Sequence, residues 1–187
     1  MPKKSAGLLP FREAGGRLEV LLVHPGGPFW AKKDDGAWSI PKGEFADGED
    51  PLTAARREFA EETGFAPAGE LIPLESLRQP SGKLVYAWAM QADLDPAAIK
   101  SNTFSREWPP KSGQLREFPE MDRAAWFPVE VAGRKIAPGQ AAFLGRLRER
   151  LAGRGGSSGC DGDAGRHQRY RQGSLFDEDA EGKGPNR

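Results

Sequence analysis

The amino-acid sequence predicts an α/β fold, a sandwich in which helices cover a mixed β-sheet. Strand signals dominate the first half. Residues 17–24 (R-L-E-V-L-L-V-H) pass from alternation into a continuous apolar run, and residues 7–11, 37–40 and 83–92 (K-L-V-Y-A-W-A-M-Q-A) read as further strands. Residues 124–127 supply a short one near the end. Two stretches, 51–63 and 138–151, carry helical signals. The later one sets Phe143, Leu144, Leu147 and Leu151 at three- and four-residue spacing, so one stripe packs on the sheet. Strands and helices mix without regular strand–helix–strand alternation, which points to a sandwich with a mixed sheet.

The chain has 187 residues, enough for one globular domain with a remainder. Twenty-seven basic residues balance 27 acidic ones, so no overall field draws the molecule to DNA or an anionic membrane. Bulk nucleic-acid binding is not expected, and an anionic ligand must be held by local charge. The single cysteine, Cys160, cannot form an internal disulfide, which favours a reducing compartment. The first residues carry no apolar stretch of leader length, and no run of about 18 apolar residues occurs. A cytoplasmic protein without a membrane span is expected. Composition shifts at Gly153: nine of the 35 residues from there on are glycine. Such a segment buries too little apolar surface to offset the entropy of ordering it. The expected organisation is a folded domain over 1–152 and a disordered glycine-rich tail over 153–187.

Helix 51–63 carries the chemistry. Asp50 is a suitable N-cap, Pro51 occupies the first helical position where proline is best tolerated, and Gly64 supplies a left-handed stop. At about 100° per residue, Glu58, Glu61 and Glu62 share an arc of roughly 100°. Leu52, Ala55 and Phe59 form an apolar arc beside them. Carboxylates one turn apart repel, and an apolar neighbour that draws them toward the protein body raises the cost. A hard divalent cation removes it, since carboxylate oxygens are its preferred ligands.

The surrounding pattern is more specific than the helix. Gly43, then Glu49 after five residues, then after seven more Arg57-Glu58-Phe59-Ala60-Glu61-Glu62-Thr63-Gly64-Phe65 resembles the Nudix box, G-x5-E-x7-R-E-U-x-E-E-x-G-U with U bulky and apolar, at every fixed position. The preceding Trp38-Ser39-Ile40-Pro41-Lys42 is similar to the strand and turn that lead into the box in MutT-type members.

The resemblance implies the Nudix α/β/α sandwich and a pyrophosphohydrolase that needs Mg²⁺ or Mn²⁺. It implies metal ligation by Glu58, Glu61 and Glu62, joined by the backbone carbonyl of Lys42 or Gly43. Arg57 would orient a carboxylate, Glu49 would brace the loop, and Gly43 and Gly64 would serve backbone geometry. Phe59 and Phe65 read as core. A general base or further metal-binding acid is expected from outside the box, with Glu120 first and Glu117 second.

Substrate recognition is expected from residues 101–119, read as a long loop that offers Phe104 and Trp108 for base stacking and Arg106, Lys111 and Arg116 for phosphates. Residues 24–30 offer a second wall, with His24 read as a strand-end histidine rather than a catalyst. The expected substrate is a nucleotide, either an NTP or a dinucleoside polyphosphate. The alternatives are ADP-ribose, an RNA 5′ end, or binding without turnover as a regulator. In the tail, Gln172-Gly173-Ser174-Leu175-Phe176 is similar to a short peptide that docks on the bacterial DNA sliding clamp, departing from it at Gly173.

Overall fold

The computed structural model describes residues 3–155. The readings of the tail and of the clamp-like peptide at 172–176 lie outside the described residues, apart from 153–155, which continue the last helix.

The chain runs through β1 (Lys4–Ala14), β2 (Arg17–Pro25), β3 (Lys42–Glu44), α1 (Pro51–Thr63), β4 (Leu71–Arg78), β5 (Leu84–Gln91), β6 (Thr103–Glu107), β7 (Leu115–Pro119), β8 (Met121–Pro128), α2 (Val129–Lys135) and α3 (Ala142–Gly155). The main sheet has the order β4-β5-β1-β2-β8, with β3 paired to β1. Strands β1 and β5 run parallel and the other pairs antiparallel, so the sheet is mixed. One face of it, through Ala6, Leu8, Leu21 and Met90, packs on Ala54, Ala55 and Phe59 of α1. The other, through Leu9, Phe11, Val20 and Leu22, packs on Ala132 of α2 and on Phe143, Leu144 and Leu147 of α3. Alternation along β1 and β2 sends successive side chains to opposite cores, which makes the α/β/α sandwich.

Four local expectations change. Residues 37–40 make only isolated bridges, Ser39 to Val23 and Trp38 to Ile136, because Pro41 ends the segment before a ladder forms. The helix expected over 138–151 begins as a 3₁₀ turn at Pro138–Gln140 and becomes α-helical only from Ala142. Strand β4 and helix α2 were not anticipated. The burial pattern of β4 is interrupted by a bulge between Pro73 and Ser76, and α2 spans only seven residues. The largest correction is in residues 101–119: they hold a two-stranded hairpin, β6 with β7, rather than a loop. Among the described residues no helix is long and apolar enough to cross a membrane.

Residues 26–36 are fastened at both ends. His24 is wholly buried, with Nδ1 2.7 Å from Asp122 and Nε2 2.8 Å from the Lys33 carbonyl. Asp34 accepts from Trp38 Nε1 at 2.8 Å and from Lys135 Nζ at 2.6 Å. The hydrogen bonds from Lys135 and then Trp38 hold the Asp34 carboxyl below its ordinary range. A carboxylate with a depressed folded pKa adds stability above its unfolded pKa, about 3.9, and loses it as pH falls through the folded value. Asp34→Asn should therefore lower the Tm at pH 7, with the gap to wild type closing below about pH 4. Thermal melts at pH 7 and pH 3 measure this.

Candidate active site

Helix α1 is built as its sequence requires. The Asp50 side chain accepts from the Thr53 amide at 2.8 Å, Pro51 opens the helix, and Gly64 closes it at φ 74° with its amide on the Ala60 carbonyl. The buried residues are Ala54, Ala55, Phe59 and Thr63, with Leu52 half-buried. On a helical wheel, Ala54 falls about 40° to one side of Glu58 and Thr63 about 140° to the other. Glu58 and Glu62 lie inside that buried arc and are partly covered, whereas Glu61 lies just outside and is exposed.

Facing the helix is the segment that leads into β3. The Pro41 carbonyl accepts from Leu8 of β1, and β3 pairs with Ser5, Ala6 and Gly7. This fixes Lys42 and Gly43 over α1. The Lys42 amide donates to Glu62 Oε2 at 2.7 Å. At Gly43 a Cβ would stand 1.6 Å from Glu58 Oε2 and 2.1 Å from Glu58 Cδ, so only glycine lets that carboxylate lie against the backbone.

Arg57 is the counter-charge. Its Nε and one terminal nitrogen donate to both oxygens of Glu49, at 3.1 and 3.2 Å, while the other terminal nitrogen donates to Glu58 at 2.6 Å and Glu61 at 3.2 Å. Glu49 and then Glu58 push the guanidinium pKa further up. Glu62 lacks such a partner. Burial pushes its carboxyl up to about 8, with Glu58 and Glu120 adding to the rise and the Lys42 ammonium and amide opposing it. Burial also raises Glu58, against the pull of Arg57, and lowers the Lys42 ammonium, against Glu62, Glu44 and Glu58.

Glu120 stands in the connection between β7 and β8. Its amide donates to the Asn102 carbonyl at 2.8 Å and its carbonyl accepts from Gly26 at 2.9 Å. Its charge reaches Glu62, so the fold brings this acid to the box across some sixty residues of sequence. Glu117 lies within β7, opposite Ser105 of β6.

The donor set suits a hard divalent cation: carboxylate oxygens on one helix face, the partly buried Glu62 with a single backbone donor, and a backbone cradle at Gly43 open to Glu58. Among the described residues no three acidic or histidine side chains converge as tightly as a cation holds its ligands. Arg57 draws Glu58 and Glu61 toward itself, and rotation about their side-chain bonds is needed to bring them onto an ion beside Glu62.

The four residues expected to recognise substrate occupy the hairpin region. Phe104 and Arg106 lie on β6, with Trp108 and Lys111 in the connection to β7. Phe29 meets Trp108 edge-on at 5.5 Å, and the Arg106 guanidinium sits 4.6 Å over the Phe29 ring. The expected second wall, residues 24–30, thus meets the hairpin through Phe29, while the pairing of the two strands was missed in the sequence. The available signal was the alternation of Phe104 and Arg106, answered by Phe118 and Arg116 beyond the turn at Gly113.

Gly43→Ala should displace the Glu58 carboxylate and reduce metal-dependent turnover by at least two orders of magnitude, with the Tm changed by only a few degrees. Steady-state assays beside calorimetry test it. A fully active variant would show that Glu58 need not rest on Gly43.

The family profile of the NUDIX domain matches residues 1–147. Over 165 residues the chain is 29 % identical to the RNA pyrophosphohydrolase of Agrobacterium fabrum, covering 74 % of this chain and 90 % of that one. It is 29 % identical over 140 residues to an 8-oxo-(d)GTP phosphatase of Mycolicibacterium smegmatis, covering 69 % of this chain and 36 % of the other. Two further curated relatives are spanned over 32 % and 48 % of their length. Among solved structures, the C. elegans Ap4A hydrolase in a binary complex aligns with a TM-score of 0.55 at 27 % identity, over 81 % of this chain and 98 % of that one. The matched domain encloses the whole acidic helix, the Gly43 turn and Glu120, and the chain belongs to the Nudix family of hydrolases.

Proposed function

We propose that the protein hydrolyses a phosphoanhydride bond of a nucleoside diphosphate-linked substrate, an NTP or a dinucleoside polyphosphate, with Mg²⁺ or Mn²⁺. The observation that carries the reading is the placement of Glu58, Glu61 and Glu62 on one helix face, with the Gly43 cradle against Glu58 and Glu120 brought up from another element. Glu58, Glu61, Glu62, Glu120 and the Gly43 carbonyl would hold the cation. When bound, such an ion would offset the phosphate charge that repels a nucleophile and ease deprotonation of the attacking water.

The chain's own residues supply the rest. A water oxygen forms a bond to phosphorus as the bridging P–O bond breaks, and Glu120 takes the water's proton as general base. Arg57, fixed by both oxygens of Glu49, pairs with Glu58 and Glu61 and would orient them as they turn onto the ion. Phe104, Arg106, Trp108 and Lys111 would receive the nucleoside and the outer phosphates. The similarity to an Ap4A hydrolase and an 8-oxo-(d)GTP phosphatase supports this substrate class. The similarity to an RNA pyrophosphohydrolase supports a second reading, a triphosphate at an RNA 5′ end.

Phosphate and pyrophosphate release from NTPs, diadenosine polyphosphates, ADP-ribose and triphosphorylated RNA, each with Mg²⁺ and with EDTA, is the deciding assay. Turnover of one class that EDTA abolishes is expected. Saturable nucleotide binding with no turnover of any would sink the enzyme. Glu61→Gln and Glu62→Gln should each lower kcat by several orders of magnitude with the fold retained, because metal-binding charge is lost and packing is not. A variant that unfolds instead marks a structural residue.

A further inference from the structure

We propose that hairpin β6–β7 and residues 27–33 form a binding surface for single-stranded RNA, continuous with the active site through Glu120. The proposal deepens the reading of the site as a nucleoside polyphosphate hydrolase and rests on it. Phe29 and Trp30, at 48 and 37 % exposure, are exposed large hydrophobics on this unit, while Leu115, at 74 %, pairs with Glu107 and points to the opposite face of the hairpin. Cations cover two of the rings: Arg106 stands 4.6 Å over Phe29 and Lys33 stands 4.5 Å over Trp30. Their location is built in rather than incidental. A Cβ at Gly26 would stand 2.0 Å from the Pro119 carbonyl, so glycine alone allows this segment to lie against the end of β7, and the Gly26 amide bonds the Glu120 carbonyl.

The second observation is electrostatic. Arg106 and Arg116 are direct cross-strand partners, with Phe104 and Phe118 paired two residues further along the same face. Like charges directly opposite on a sheet destabilise it. Neither arginine has an ion-pair partner among the described residues. Glu107 and Glu117 alternate onto the other face, and Glu107 is occupied by the Gly113 amide at 2.8 Å. An anion between the two guanidiniums removes the repulsion. Rings that stack on bases, interleaved with cations for phosphates, are what single-stranded nucleic acid requires. A five-residue strand is about 16 Å long, more than one nucleotide spans. An RNA chain that begins with a 5′ triphosphate would place its anhydride at Glu58, Glu61 and Glu62 and lay the following nucleotides on the hairpin.

The experiment is fluorescence anisotropy of the full chain with a 3′-labelled, 5′-triphosphorylated oligoribonucleotide of about ten nucleotides. It is run in EDTA to prevent hydrolysis, across a salt series, with ATP as competitor. The oligonucleotide should bind at least tenfold more tightly than ATP. Arg116→Gln should weaken it severalfold and reduce the salt slope by about 0.7, one phosphate contact. The same change relieves the cross-strand repulsion, so its Tm should not fall, which separates lost contact from lost fold. Trp30→Ala should weaken binding with the slope unchanged. Binding no tighter than that of ATP, or indifferent to both substitutions, overturns the proposal. So does a wild-type dimer in sedimentation that Trp30→Ala dissolves, which would assign the surface to a second copy. Mg²⁺-dependent NTP turnover tests the active-site reading separately: turnover without oligonucleotide binding overturns the RNA surface alone.

Discussion

Arg57 brings one positive charge into a group of carboxylates that would otherwise repel one another along a single helix face. Its two ends do different work. The bidentate pair with Glu49 fixes the guanidinium against the loop before α1, and the remaining nitrogen reaches Glu58 and Glu61. Without that anchor the two box acids would have only solvent and each other for company. Glu62 is beyond its reach and relies on one backbone amide. Burial therefore tells most on Glu62, the acid without a guanidinium partner.

That unequal treatment of the acids follows from where the helix packs. Ala54, Ala55, Phe59 and Thr63 seat α1 on β1 and β5, and the arc they define includes Glu58 and Glu62 but not Glu61. Small residues at 54 and 55 bring the helix close to the sheet, so the carboxylates meet the backbone at 42–43 instead of open water. A side chain at 43 would therefore push the Glu58 carboxylate off the backbone, since Glu58 occupies its place. The edge of β1 supplies the other half of the constraint, holding β3 in place through Ser5, Ala6 and Gly7.

The second half of the site comes from the far edge of the sheet. Strand β8 pairs with β2, and the chain just before it carries Glu120 back toward the box. His24 and Asp122 join the same edge to residues 26–36, so the aromatic segment, the hairpin and Glu120 are mutually braced. A net charge of zero over the chain conceals this distribution. Acids gather on α1, while Arg106 and Arg116, without acidic partners among the described residues, face each other on the hairpin.

The helix and its row of carboxylates were legible in the sequence because their determinants are local. A cap at Asp50, a proline at 51, a stop at Gly64 and a fixed angular step place three carboxylates together without reference to any other element. The mixed sheet followed from apolar runs whose length and alternation need no partner to be read. Strand β4 escaped because its bulge breaks the alternation, and β6 and β7 escaped because their exposed, charged residues carry no burial signal. The approach of Glu120 to Glu62 and the seat of Glu58 on Gly43 arise from contacts between separate elements, and the facing arginines depend on the hairpin's register. Local propensity sets the elements, but which of their charged atoms meet depends on strand order and register, and only the packed sheet decides those.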